Sequence, residues 1–268
     1  MVVNNSMQEQ RIKDKIKERY GRIALTGTET CCAPAIEFKS NDKSGCSCCS
    51  PSDSASIVGY DNKELESIPE TSVLGVGCGA PLHYADVKTE EIVVDLGSGA
   101  GIDVFLSANK VGHSGKVIGV DLTDEMLEKA RTNAKENGYT NVEFRKGDIE
   151  KRIPIDDNSA DLVISNCVIN LTTDKVATFK EVHRILSQGG GRMIISDLVT
   201  DKEVQGDSVD SDKWCSCIDG ALTKENYLES IRKAGFQNPK ILDEKLYTQE
   251  ESDGDRKISS IIVKAIKN

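Results

Sequence analysis

Residues 92–101 read Ile-Val-Val-Asp-Leu-Gly-Ser-Gly-Ala-Gly. An apolar run holding one acid, Asp95, breaks into Gly97, Gly99 and Gly101 at alternate positions, and a helix-compatible stretch follows. That order predicts a buried strand, a tight turn and a helix start. Glycine tolerates positive φ and lets the backbone come close to a ligand. The rest of the chain repeats the rhythm. Strand-like runs are expected at 116–122, 142–148, 160–166 and 191–198, and helical patterns at 103–111, 124–137 and 175–186. Asp124 is the expected N-cap of the second helix and Gly138 its stop. Apolar strands alternating with helices predict βαβ units around a parallel sheet. A later helix, 224–234, ends at Gly235, and two final strands, 240–248 and 258–266, flank a polar turn. The expected fold is therefore α/β: a doubly wound, Rossmann-like, mostly parallel sheet of seven strands with an antiparallel pair at its edge.

Charge narrows the function. The chain of 268 residues has 34 basic and 44 acidic side chains, a net charge of −10. Binding to nucleic acid draws on clustered cations, so a general nucleic-acid partner is excluded. No apolar run approaches the ~18 residues of a membrane helix, so no membrane partner is expected. The N-terminus, with its RIKDKIKER run, is too charged for a signal peptide, which points to a cytoplasmic protein. That run, within an amphipathic helix over 7–22, reads as a solvated face. Residues 28–56 are rich in Ser, Cys and Gly and read as a Cys-rich mobile arm; a short helix is expected near 62–68. The expected division is 1–70, N-terminal helix and arm, and 71–268, the α/β domain, with an irregular insert at 199–222.

Acids at successive strand ends define the ligand. Asp95 sits at the end of the first strand, Asp121 at the second and Asp148 at the third. A second-strand acid can accept from both ribose hydroxyls. A third-strand carboxylate can reach an adenine amino group. Three carboxylates around one crevice suit a nucleoside and would repel a pyrophosphate. The turn, GSGAG, also departs from the dinucleotide fingerprint GxGxxG. Together DLGSGAG, GVDLT with Met126 shortly after, KGDIE and the terminal hairpin resemble the class I S-adenosylmethionine-dependent methyltransferases. The resemblance covers roughly residues 72–268. It implies that Gly97, Gly99 and Gly101 hold the methionine part of the cofactor, with Asp95, Ser98 and Asn166 also among the expected cofactor-binding residues. It implies further that Asp121, Leu122 and Met126 serve the ribose side, and Gly147, Asp148 and Ile149 the adenine.

Nine cysteines suggest the acceptor. The number is odd, so they cannot all pair within one chain. Cytosolic cysteine clusters bind soft metals, do redox chemistry or act as nucleophiles. Cys167 follows the fourth strand and so faces the crevice. Cys78, in GVGCGAP, and Cys217, in CSCIDGAL, lie on segments that can fold over the same end of the sheet. Converging thiols beside a methyl donor suit a thiophilic acceptor, and trivalent arsenic fits. Its lone pair attacks carbon and carries no proton for a base to remove.

The motifs GVGCGAP, DLGSGAGIDVFL, GVDLTDEMLEKAR, NVEFRKGDIE, SNCVINL and CIDGAL, in this order, resemble the arsenite methyltransferases. The resemblance implies an enzyme that methylates arsenite, presented as a glutathione conjugate, with the arsenic on Cys78, Cys167 and Cys217. It also implies re-reduction through a protein disulfide that thioredoxin or a similar dithiol resets. Cys32 or Cys31 is the N-terminal redox candidate. No resident metal is expected, since arsenic is the substrate. Ala80 stands where that family usually has Asn, and Val76 where some members have Tyr. Cys46, Cys48, Cys49 and Cys215 have no assigned counterpart. Two other readings stay open: a methyltransferase for a small organic acceptor, disfavoured by 4% aromatic content, and a thiol-rich metalloid-binding sensor. Zinc on the CxCC run is a further possibility for those thiols.

Overall fold

The structure is a computed structural model that describes residues 6–27, 50–204, 211–247 and 256–268. Cys31, Cys32, Cys46, Cys48 and Cys49, and with them the expected Cys-rich arm, lie outside the described residues. Seven strands form one sheet: β1 (Ile92–Leu96), β2 (Lys116–Asp121), β3 (Val142–Lys146), β4 (Leu162–Asn166), β5 (Arg192–Thr200), β6 (Gln237–Leu246) and β7 (Ile258–Ile266). Their order is β3-β2-β1-β4-β5-β7-β6. The first five run parallel, while β7 pairs antiparallel with both β5 and β6. The doubly wound, Rossmann-like sheet with its antiparallel edge is the one expected from the sequence.

Period-two alternation explains why these runs are strands. Val94, Leu96, Ile118, Val120, Val163, Met193 and Ile195 point into one apolar layer. Val93, Val117, Leu162, Ile164 and Ile194 point into the other. The central strands β1, β2, β4 and β5 are covered on both faces, as a parallel sheet requires. Helices α4 (Ile102–Val111) and α5 (Asp124–Glu136) close the second layer through Val104, Phe105, Leu127 and Ala130. Helices α6 (Lys175–Ile185) and α8 (Lys224–Lys233) close the first through Phe179, Val182, Tyr227 and Ile231. The N-cap of α5 is Thr123 rather than Asp124, which is the first helical residue.

Two segments differ from expectation. The N-terminal helix α1 runs Ser6–Thr26, and its face carrying Ile12, Ile16, Tyr20 and Ile23 packs onto α5 and α7 (Ser211–Cys215). Lys13 from the charged run is buried rather than solvated. Residues 51–56, expected as the end of the arm, lie in helix α2 (Pro51–Val58), followed by the expected short helix, α3 (Asn62–Glu66). The cause of α2 is a reciprocal cap: Ser50 Oγ accepts from Asp53 N while Asp53 accepts from Ser50 N, with Pro51 in the first turn. Among the described residues no helix is long and apolar enough to cross a membrane.

The strand order reverses between β1 and β4. Chain from β1 returns through β2, whereas β3 crosses back to β4, so a crevice opens between the two carboxyl ends. At the opposite ends the sheet is pinned by Arg192, which makes two hydrogen bonds of 2.7 and 2.9 Å to Glu91. It also donates to the carbonyls of Ala85 and Asp86. Burial pushes the Glu91 pKa up, but the guanidinium outweighs it and the net shift is down. The pairing therefore stabilises the fold above the ordinary pKa of 4.5 and is lost as pH falls through the lower folded value. Arg192→Met is expected to destabilise the protein by about 3 kcal/mol at neutral pH, because a nearly buried carboxylate loses its partner. Urea melts of both proteins should show that difference shrinking as pH falls from the ordinary glutamate pKa through the lower folded value, below which the carboxyl is neutral in either protein.

Candidate active site

The turn after β1 is built from left-handed backbone: φ is 70° at Gly97, 52° at Gly99 and 102° at Gly101. It is tied to β2 by Gly97 N–H and Ser98 N–H, both donating to the Val120 carbonyl. A side chain is excluded at Gly97, where a Cβ would meet Val168 Cγ2 at 2.3 Å. The Ser98 hydroxyl turns away towards Gly119 of β2. Asp121 ends β2 and grips the turn: its two oxygens accept from Gly99 N (2.9 Å) and Thr123 N (2.8 Å). Burial still raises its pKa above the ordinary carboxylate range.

Gly97, Gly99 and Asp121, with Leu122, Met126, Gly147, Asp148, Ile149, Asn166 and Cys167, line one crevice; Ser98 and Gly101 do not line it. Asp95, at the end of β1, lines an adjoining recess that shares Gly97, Gly99 and Asn166 with the crevice. Helix α1 forms the roof, contributing Lys13, Ile16 and Tyr20. Lys13 donates to Asp148 Oδ2 at 2.9 Å and pairs with Glu150 at 2.7 Å. Burial alone lowers its pKa, but these carboxylates raise it overall. Nothing in the residue pattern signals this contact, since an amphipathic helix does not say what its apolar face covers.

The thiols come together at the end of the crevice. Cys167 directly follows β4, and its N–H donates to the Ser196 carbonyl. Its thiol hydrogen-bonds with those of both Cys217 and Cys78, which together with burial hold its pKa well above the ordinary value. Cys217 Sγ also donates to the Cys167 carbonyl at 2.8 Å. The hydrogen bond with Cys167 lowers the Cys217 pKa, but burial and the carboxylate of Asp197 prevail and the net shift is up. Cys78 rides on a loop whose flanking glycines permit close approach. A Cβ on Gly77 would lie 2.8 Å from the Asn166 amide, and one on Gly79 would lie 2.3 Å from Ser196 Oγ. Cys167 and Cys217 both adopt left-handed backbone, φ 61° and 65°. For a residue other than glycine that costs about 1–3 kcal/mol, a strain that marks functional positions. None of the four described cysteines is in a disulfide. Cys215 is buried in the same apolar cluster, and its carbonyl takes the Tyr20 hydroxyl at 3.2 Å.

Sequence reasoning missed the carboxylate beside these thiols. A ligand oxygen of Asp197 and the sulfurs of Cys78 and Cys167 lie within 4.8 Å of one another. Asp197 accepts from Asn170 N, Leu198 N and the Tyr227 hydroxyl. Burial raises its pKa to about 7, against the opposing pull of Lys175. Its signal was available: one acid within a nine-residue strand that is buried at every position. Trp214, also missed, is fully buried and donates Nε1–H to the Leu171 carbonyl at 2.9 Å, which holds α7 and its following Cys217 against the turn after β4.

Fold and crevice define a methyltransferase. Residues 88–235, more than half the chain, match the family model described as a methyltransferase domain. The chain is 38% identical over 268 residues to the arsenite methyltransferase of Halobacterium salinarum (strain ATCC 700922 / JCM 11081 / NRC-1), a match covering 99% of this chain and 67% of that protein. It is 37% identical over 210 residues to the arsenite methyltransferase of Mus musculus, covering 74% of this chain and 54% of that one. The chain thus spans about two thirds of the first relative and about half of the second. An X-ray crystal structure of an arsenic (III) S-adenosylmethionine methyltransferase from Chlamydomonas reinhardtii superposes with a TM-score of 0.62 at 33% identity, over 80% of this chain and 72% of that one. The chain belongs to the arsenite methyltransferase family.

Gly97→Ala is expected to weaken binding of S-adenosylhomocysteine by more than about tenfold, because a Cβ at positive φ also displaces Val168. Titration calorimetry measures this directly.

Proposed function

We propose that the protein transfers a methyl group from S-adenosylmethionine to trivalent arsenic held by Cys78, Cys167 and Cys217. The observation that carries the reading is Cys167, whose thiol meets both other thiols while its residue lines the cofactor crevice. The residues present fit the cofactor: a glycine turn with no side chain in the way, buried acids at the ends of β1 and β2, and a third acid, Asp148, after β3. S-adenosylmethionine supplies a methyl group on a cationic sulfur. Asp121 would take the ribose hydroxyls through the acceptor capacity left beside its two backbone hydrogen bonds. Asp148, fixed by Lys13, would take the adenine amino group. Residues 71–268 form the methyltransferase domain in this reading, with 199–222 as the insert that brings Cys217 to the substrate.

The thiols of Cys167 and Cys217 begin protonated, since mutual hydrogen bonding and burial raise the pKa of Cys167 and burial with the carboxylate of Asp197 raises that of Cys217. Arsenite, as its glutathione conjugate, exchanges onto them. Each new sulfur–arsenic bond releases one glutathione thiol, which takes up the cysteine proton. Three sulfurs leave arsenic pyramidal with its lone pair free for the crevice; that lone pair would form the carbon–arsenic bond while the methyl carbon's bond to the cationic sulfur breaks, its electron pair staying on sulfur to leave S-adenosylhomocysteine. Geometry does the catalytic work, because no proton has to be removed from the nucleophile. The product is formally pentavalent. Two thiols return it to the trivalent state by giving up two electrons and joining as a disulfide, which thioredoxin or a similar dithiol reduces. Cys32 or Cys31 is the proposed N-terminal thiol in that step, pairing with a core cysteine.

Cys167→Ser should lower methylarsenic formation by more than the about 10–100-fold that loss of an outer partner costs, with S-adenosylhomocysteine binding retained. Cys215→Ser should keep most activity. Full activity in Cys167→Ser, assayed by separation of arsenic species, would sink the assignment.

A further inference from the structure

The thiol cluster has a second side. Cys167 lines the cofactor crevice, whereas Cys78 lines a different cleft that shares no residue with that crevice. The floor of the cleft is the edge of the sheet. On the antiparallel pair of β6 and β7, Lys245 stands opposite Ser260 and Asp243 opposite Ile262, and all four line the cleft. Its wall is the loop from Cys78 to Ala80 with the single turn Pro81–Tyr84 that follows. Ser260 Oγ donates to the Cys78 carbonyl at 2.6 Å and so fixes the loop against the floor. Cys78 thus stands between two openings. Its thiol hydrogen-bonds with that of Cys167 on the crevice side, while its residue lines the cleft.

The cleft carries both signs of charge. Asp243 Oδ2 accepts from the Tyr84 hydroxyl at 2.8 Å, and Lys245 Nζ lies 3.4 Å from the same oxygen. The Tyr84 hydrogen bond above all, with help from Lys245, holds the Asp243 pKa below its ordinary value. The Lys245 side chain is 69% exposed, and an ammonium has three donors, so it can serve a ligand as well as Asp243. Cys78 itself is 4% exposed, so a ligand meets it through a cavity and not from open solvent. A bulky thiol conjugate cannot pass through a crevice already filled by a cofactor. The cleft offers it another way to the same thiols.

We propose that this cleft docks the small thiol that carries the arsenic, and that Cys78 is the first cysteine to bond. This deepens the arsenic reading above and rests on its assignment of Cys78 as a ligand. The carrier it takes is a thiol bearing carboxylate and ammonium groups, a carboxylate meeting Lys245 and an ammonium meeting Asp243. In the exchange the bond from Cys78 sulfur to arsenic forms and one bond from carrier sulfur to arsenic breaks. The departing sulfur takes the Cys78 proton, and arsenic stays trivalent. Cys167 and Cys217 then displace the remaining carrier sulfurs, which draws the arsenic from the cleft to the crevice. Cofactor and metalloid enter by separate openings, and neither has to wait for the other.

Labelling of the full chain without arsenic, read by mass spectrometry, tests the two openings. The reagents are an anionic methanethiosulfonate, the sulfonatoethyl compound, and a neutral one, the hydroxyethyl compound. S-adenosylhomocysteine at about ten times its Kd should slow labelling of Cys167 by about tenfold and leave that of Cys78 within about twofold. Lys245→Glu reverses an exposed charge. It should slow the anionic reagent at Cys78 by about fivefold relative to the neutral one, the scale of one exposed charge contact. The same variant should raise KM for arsenite supplied with glutathione by about fivefold more than KM for arsenite supplied with 2-mercaptoethanol. Equal protection of Cys78 and Cys167, or no labelling of Cys78 by either reagent, overturns the second opening. An equal effect of Lys245→Glu on both reagents, or on both carriers, overturns the carrier site. Full methylation of arsenite in Cys78→Ser contradicts the arsenic reading instead.

Discussion

The site depends on how closely the turn after β4 approaches the turn after β1. Gly97 makes this possible: a Cβ there would lie 2.3 Å from Val168, the residue after Cys167. One missing atom therefore both frees the glycine turn for a ligand and brings the thiol turn against it. Gly77 and Gly79 play the same part for Cys78, clearing the Asn166 amide and Ser196. Donor and acceptor sites are consequently parts of one packed surface. A change that widens either turn separates the methyl group from its acceptor, and in-line transfer tolerates little separation.

Local strain has to be maintained by the surrounding fold. Cys167 and Cys217 both hold left-handed backbone that costs each residue free energy. Cys167 is fixed by a hydrogen bond to Ser196 on β5, and the turn that follows it by Asp197 through Asn170 N. Trp214 fixes the Cys217 side by donating to Leu171 in that same turn. Both supports rest on a strand that is buried along its whole length. Helix α1 lies over the result, its Tyr20 hydrogen-bonded to Cys215 and its Lys13 to Asp148. A single helix therefore touches Cys215 of the thiol cluster at one end and Asp148, the acid after β3, at the other.

The sheet was legible because its signal is local and periodic. Alternating apolar residues assign Val93 and Val94 to opposite layers with no knowledge of their partners, and β1 has the expected bounds, Ile92–Leu96. The acids at strand ends were legible because position in a parallel sheet places them together. The meeting of Cys78, Cys167 and Cys217 was legible only through family resemblance and topology, since 89 and 50 positions separate them in turn. Lys13 was misread because an ion pair across 135 residues leaves no trace in a charged helix. Helix α2 was missed because composition hid its cap, although Ser50 and Asp53 stand at the capping spacing.

X-ray absorption at the arsenic edge, on the arsenite-loaded protein after glutathione is removed, counts the sulfurs around the metalloid. Three are predicted, falling to two in each of Cys78→Ser, Cys167→Ser and Cys217→Ser and staying at three in Cys215→Ser. A count unchanged in Cys167→Ser, or lowered in Cys215→Ser, would contradict the assignment of the arsenic to the thiols that meet beside Gly97.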